Sequence, residues 1–150
     1  VSEETDQTPD EKRLAEVRAK RSALAAERDA REQAEAVAKQ LAAEERGLRD
    51  DEAIAAAVEK HGAVDQKIRL VHTDLGVVIV KRPHHILFRR YQESDNSSAE
   101  ELEKLVLPNV VYPTRAEVEH LFQELPATLT RCGNAIAVLA GVRVKEVTGK

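Results

Sequence analysis

A chain of 150 residues with a formal net charge of −4, two Phe, two Tyr and neither Trp nor Met is long enough for one ordinary domain but has little with which to stack bases or aromatic ligands. Its single cysteine, Cys132, excludes an intrachain disulfide and a CxxC metal site. No apolar run approaches the roughly 20 residues of a membrane span, and the first residues lack the apolar centre of a signal peptide, so the expected compartment is the cytoplasm with no membrane partner.

Charge and apolarity are unevenly spread. Residues 1–62 carry 11 basic and 16 acidic side chains, against 12 and 11 in residues 63–150, and Val, Ile and Leu become dense only after Gly62. The expected organisation is therefore a disordered lead over 1–9, a charged, Ala-rich helical arm over 10–62 and a small α+β head over 63–150. A head of that size has a marginal core, on the order of 3–5 kcal/mol, for which help from an oligomer or a partner is physically reasonable. An acidic arm argues against a DNA tether, because neutralising phosphates needs an excess of Lys and Arg.

Thr8-Pro9-Asp10-Glu11 has the grammar of a helix start, with Thr8 as N-cap, Pro9 at the first helical position and Glu11 three residues after the cap. Leu14, Val17, Leu24, Val37, Leu41 and Leu48 are the only large apolar residues over nearly the whole arm. A heptad continued from Leu14, Val17 and Leu24 meets Arg21, Arg28, Arg31 and Glu35, and the later series Ala34, Val37, Leu41, Leu48 runs in a shifted frame. The pattern fits a solvated helix supported by pairs such as Glu27 with Arg31 and Glu35 with Lys39 better than a long dimeric coiled coil. Gly47, with Asp50 and Asp51 as cap candidates, suggests a second short helix that carries Ile54 and Val58 and stops at Gly62.

The head opens with a hairpin. Ile68, Leu70 and His72 share a face, Thr73-Asp74-Leu75-Gly76 turns the chain, and Val77-Val78-Ile79-Val80 returns as a β-branched strand. A lone hairpin is barely stable in water, so helices must cover it. Pro83 is expected to open a helix with Leu87, Phe88 and Tyr91 on one side. Ser98 with Glu101 reads as a capping box before Leu102, Leu105 and Val106, and Pro108 ends that helix. Thr114 and Glu117 repeat the signal ahead of Val118, Leu121, Phe122 and Leu125. Pro126 kinks that helix or begins the next, which carries Leu129, Cys132, Ile136 and Leu139 and stops at Gly141. Ala127, Gly133, Ala135, Ala137 and Ala140 permit close helix packing, and the alternating Val142, Val144 and Val147 either add an edge strand or fray as a tail. The fold class expected is mostly α with a small β-hairpin.

Few residues point to chemistry. Lys81, Arg82, Arg89 and Arg90, beside His84 and His85, form a basic patch with no acidic residue between Asp74 and Glu93. Only one turn of helix carries it and no nucleic-acid motif surrounds it, so a solvated face or a protein-partner patch is expected ahead of nucleic acid. Adjacent histidines on a helix point in different directions, so a metal would need further ligands. Cys132 on an Ala-rich apolar face is expected to be a small buried hydrophobe, and His120 beside Glu119 a surface pair. No GxSxG, P-loop, GxGxxG or paired-metal motif occurs, which leaves no catalytic, cofactor or metal site.

The segment from Leu75 to Gly141 resembles the tail assembly chaperones of long-tailed bacteriophages. The similarity lies in Val77-Val78-Ile79-Val80-Lys81-Arg82-Pro83, then Phe88-Arg89-Arg90-Tyr91, then Leu105-Val106-Leu107-Pro108 leading to Val110-Val111-Tyr112-Pro113, and finally Leu121-Phe122-Gln123-Glu124-Leu125-Pro126 with Ile136-Ala137-Val138-Leu139-Ala140-Gly141. The long arm departs from the small members of that family. The resemblance implies a non-enzymatic protein of the infected bacterial cytoplasm that binds a tape measure protein and helps recruit tail tube subunits. Phe88, Tyr91, Leu121, Phe122, Leu125 and Leu129 are the residues expected to hold an amphipathic client helix, though each is equally placed to be core. A structural virion component (tail, neck or capsid-associated) with an extended helical arm and a small basic-patch nucleic-acid binder remain the alternatives, and homo-oligomerisation is left open.

Overall fold

The computed structural model describes residues 8–94 and 98–143. The elements in chain order are α1 (Pro9–His61), β1 (Ile68–Thr73), β2 (Gly76–Lys81), α2 (His85–Glu93), α3 (Ala99–Val106), a 3-10 turn (Leu107–Asn109), β3 (Val110–Tyr112), α4 (Arg115–Glu124) and α5 (Ala127–Leu139). This is the expected mostly helical α+β class. The chain divides into two compact units between Glu45 and Arg46.

In the first unit, the N–H of Glu11 donates to Thr8 Oγ1 at 3.2 Å and the N–H of Thr8 donates to Glu11 Oε2 at 3.3 Å, a complete capping box. Every residue from 8 to 45 is exposed, Leu14, Val17, Leu24, Val37 and Leu41 among them.

The expected break at Gly47 does not occur, and α1 continues to His61. A glycine inside a helix costs only about 1 kcal/mol relative to alanine, too little to stop a helix whose neighbours, Ala42 to Arg46 and Leu48 to Arg49, are strong helix formers. Nor does the head begin at Gly62: the turns of α1 from Arg46 onward belong to the compact second unit. Gly62 does end the helix, with φ +117°.

The second unit is a sheet covered on both faces. β1 and β2 pair antiparallel from Ile68↔Lys81 to Thr73↔Gly76, which leaves Asp74 and Leu75 as the two-residue turn. β3 adds to the far side of β2, with a register shift between Ile79 and Val80, so the order is β1-β2-β3. That third strand was not expected: the three residues Val110–Tyr112 are too short to display alternation. Ile68, Val77 and Ile79 pack with Ala53, Ile54 and Ala57 of α1. Val71, Val78 and Val80 pack on the opposite face with Leu105, Val118, Leu129, Cys132 and Ile136. Successive strand residues face opposite ways, so a central strand between two apolar layers reads as an unbroken apolar run, as Val77 to Val80 does.

Helices α3 and α4 start after their expected cap residues, although Glu101 pairs with Lys104 and not with its cap. Ser98 Oγ accepts from Glu100 N–H and Thr114 Oγ1 from Glu117 N–H. Pro126 occupies the N-cap of α5 and so begins a helix instead of kinking α4. Gly141, at φ +104°, closes α5. Of the alternating C-terminal valines, read as an edge strand or a frayed tail, Val144 and Val147 lie outside the described residues.

Candidate functional site

A groove of about 750 Å³ opens between α3, α4 and α5. Its apolar wall is built from Leu102 and Leu107 on one side and Phe122, Leu129 and Ala137 on the other, while Glu103, Gln123, Thr130 and Asn134 form an exposed polar rim. The separation of the helices is set by Gly133, where an added Cβ would stand 2.5 Å from Leu102 Cδ1. The close packing anticipated from the small residues of α5 is thus realised, and the groove lies beside it.

The six expected partner-binding residues divide. Tyr91, Phe122 and Leu129 line this groove. Phe88, Leu121, Phe122 and Leu129 are buried, and Tyr91 and Leu125 pack against the same core. The core therefore claims most of their surface, and Phe88, Leu121 and Leu125 take no part in the groove. Phe88 meets Tyr91 edge to face at 6.3 Å between ring centroids, and burial pushes the Tyr91 hydroxyl pKa up. Leu107 and the polar rim were not singled out in the sequence as partner-binding, because their pairing depends on how α3 meets α5.

The basic patch is split by strand geometry. Lys81 stands in the same alternation as Val77 and Ile79, on the side of α1, where its charge helps depress the pKa of His61 after the larger effect of burial and that of Lys60. Arg82 and Arg89 instead line a second groove, of about 720 Å³, with His84 and His85, and Arg90 is not part of it. The helix begins at His85, not at Pro83. His84 is the N-cap, and its Nδ1 accepts from the N–H of Ile86 at 3.3 Å. Because His84 lies outside the helix, the two imidazoles do not diverge: they stack, with centroids 4.4 Å apart.

A third cleft, of about 430 Å³, surrounds Asp50, Tyr112 and His120. Asp50 Oδ2 accepts from the N–H of Val77 at 3.0 Å and its Oδ1 from the Tyr112 hydroxyl at 3.2 Å. Burial first, then the Asp50 carboxylate, raises the Tyr112 pKa. Asp50, expected only as a cap, is the polar tie between α1 and both later strands.

Cys132 is fully buried and its thiol pKa is pushed up to about 12 by burial. His120 faces Glu124, at 3.9 Å, and Glu119 pairs with Arg115. Among the described residues no group of three or more His, Cys, Asp or Glu could hold a metal, and no helix is long and apolar enough to cross a membrane. No family model, curated protein or solved structure matches the chain.

Proposed function

We propose that the chain is a non-enzymatic tail assembly chaperone of a long-tailed bacteriophage, acting in the cytoplasm of the infected host by binding a tape measure protein during tail morphogenesis. The observation that carries this reading is the groove between α3, α4 and α5, whose leucine and phenylalanine wall and polar rim suit an amphipathic client helix laid along it. The resemblance over Leu75 to Gly141 supplies the client class. Leu102 and Leu107 are the contacts best placed to discriminate, since they are only partly buried.

The test is co-expression with a tape measure protein of a long-tailed phage and capture of the complex. Retention through a high-salt wash is expected, because apolar contacts are little affected by screening, and Thr130→Lys on the exposed rim should release the client. No co-purification at any salt overturns the proposal. A second reading, a component that stays in the particle, draws on the 53-residue α1 with its exposed leucines. Stoichiometric presence of the chain in purified mature particles would favour it.

A further inference from the structure

We infer that the groove formed by Arg82, His84, His85 and Arg89 beside the end of α5 is a docking site for a short acidic peptide segment of a protein partner, one whose carboxylates flank an apolar side chain. This surface is separate from the client groove and does not depend on the chaperone reading.

The wall of this groove carries two arginines, two histidines and Gln92, and among the described residues no acidic side chain lines it. Arg82, His84, His85 and Arg89 are exposed. Among the described residues, neither arginine enters an ion pair, whereas Lys104, Arg115 and His120 elsewhere on the helices each have a carboxylate within 4.0 Å. A structural use for the two arginines, capping the nearby C-terminus of α5, is already filled by backbone: Ala140 N–H donates to Ile136, Gly141 N–H to Val138 and Val142 N–H to Ala137, the closing pattern of a Schellman motif. His84 Nδ1 is likewise occupied by Ile86 N–H, which leaves its Nε2 as an exposed donor when the ring is neutral. Among the described residues, the two arginines and His84 Nε2 are thus outward donors with no acceptor supplied by the chain.

The floor adds a second requirement. Half-buried Pro83 and buried Phe88 also line the groove, so the occupant gains from an apolar group as well as negative charge. Two guanidinium forks match carboxylates bidentately. A nucleic acid fits less well, because Lys81 faces the other side of the sheet, Arg90 lies outside, and the cationic footprint is one helical turn where a phosphate backbone needs a track.

The probe is a fluorescein-labelled six-residue peptide of Glu and Asp around a central Leu, titrated with the full chain and followed by anisotropy. A lysine-for-acid counterpart and a labelled oligothymidylate serve as competing ligands. Saturable binding of the acidic peptide alone is expected, weakening as salt rises. Arg82→Glu with Arg89→Glu should remove it, and the milder Arg82→Gln with Arg89→Gln should weaken it by about tenfold or more, the scale of a lost charge-assisted contact. Lys81→Glu with Arg90→Glu should retain binding, which guards against a general charge effect. The inference is overturned by no binding of the acidic peptide, by equal binding of the lysine counterpart, by tighter binding of the oligothymidylate, or by binding that survives the Gln variant with an unchanged melting curve.

Discussion

Asp50 accepts hydrogen bonds from partners 27 and 62 positions further along the chain, so one carboxylate ties α1 to the turn end of β2 and to the end of β3. Replacing it with alanine strands the N–H of Val77 and frees Tyr112, a loss of about 1–3 kcal/mol for each partner left unsatisfied in a partly buried site. Asp50→Ala is expected to lower the urea midpoint accordingly, and Asp50→Asn, which keeps an acceptor, to recover part of it. An unchanged midpoint for the alanine variant would show that water replaces both bonds. The sequence places Asp50 near a glycine and so suggests a cap, because nothing local reveals partners so distant. Cys132 is the opposite case: an Ala-rich helical face announces a small buried side chain, and the structure buries it fully. With its pKa near 12, the thiolate that reacts with disulfide reagents is absent at neutral pH. Native protein should leave Ellman's reagent unreacted until denaturant is added, and Cys132→Ala should cost about 1–2 kcal/mol in denaturant melts, the range of a modest core truncation.

At the level of elements, signals confined to a few neighbouring residues translate into structure directly. Thr8, Ser98 and Thr114 each cap the helix that follows, and Gly62 and Gly141 each end one. What the chain order hides is pairing: β3, with three residues, becomes a strand only because Ile79 and Val80 offer it an edge. The sharp register of the hairpin rests on Gly76, which has φ +125° and where an added Cβ would sit 3.2 Å from Arg46 Cδ and 3.3 Å from Asp50 Oδ2. Gly76→Ala therefore meets backbone strain and crowding together. It is expected to destabilise by about 1–3 kcal/mol, the cost of holding a non-glycine residue in a sparsely populated backbone region. Gly47→Ala, at a helical position with nothing within 4 Å of the added Cβ, is expected to stabilise by about 1 kcal/mol. Equal melting temperatures for the two variants would contradict both assignments.

For the whole chain, the decisive question is which residues the folded unit needs. Composition places the boundary at Gly62, since large aliphatic residues thicken there, but composition does not see that small side chains can serve as a lid. Ala53, Ile54 and Ala57 lie against Ile68, Val77 and Ile79, and an alanine face permits the close helix-to-sheet approach that a leucine face would prevent. A fragment beginning at Ala63 would expose that apolar sheet face and also lose Asp50, leaving a sheet covered on one side only. A fragment beginning at Arg46 keeps both layers. The expected outcome is a single cooperative transition for the fragment from Arg46. For the fragment from Ala63, a broad, low-temperature transition with dye binding to exposed apolar surface is expected, the signature of lost specific packing. Cooperative melting of the shorter fragment at the temperature of the longer one would return the boundary to Gly62 and reduce the end of α1 to an accessory. Removing residues 8–45 should leave the melting of the second unit nearly unchanged, because every one of them is exposed. A large drop in melting temperature on that deletion would mean that the first unit contributes to the stability of the second.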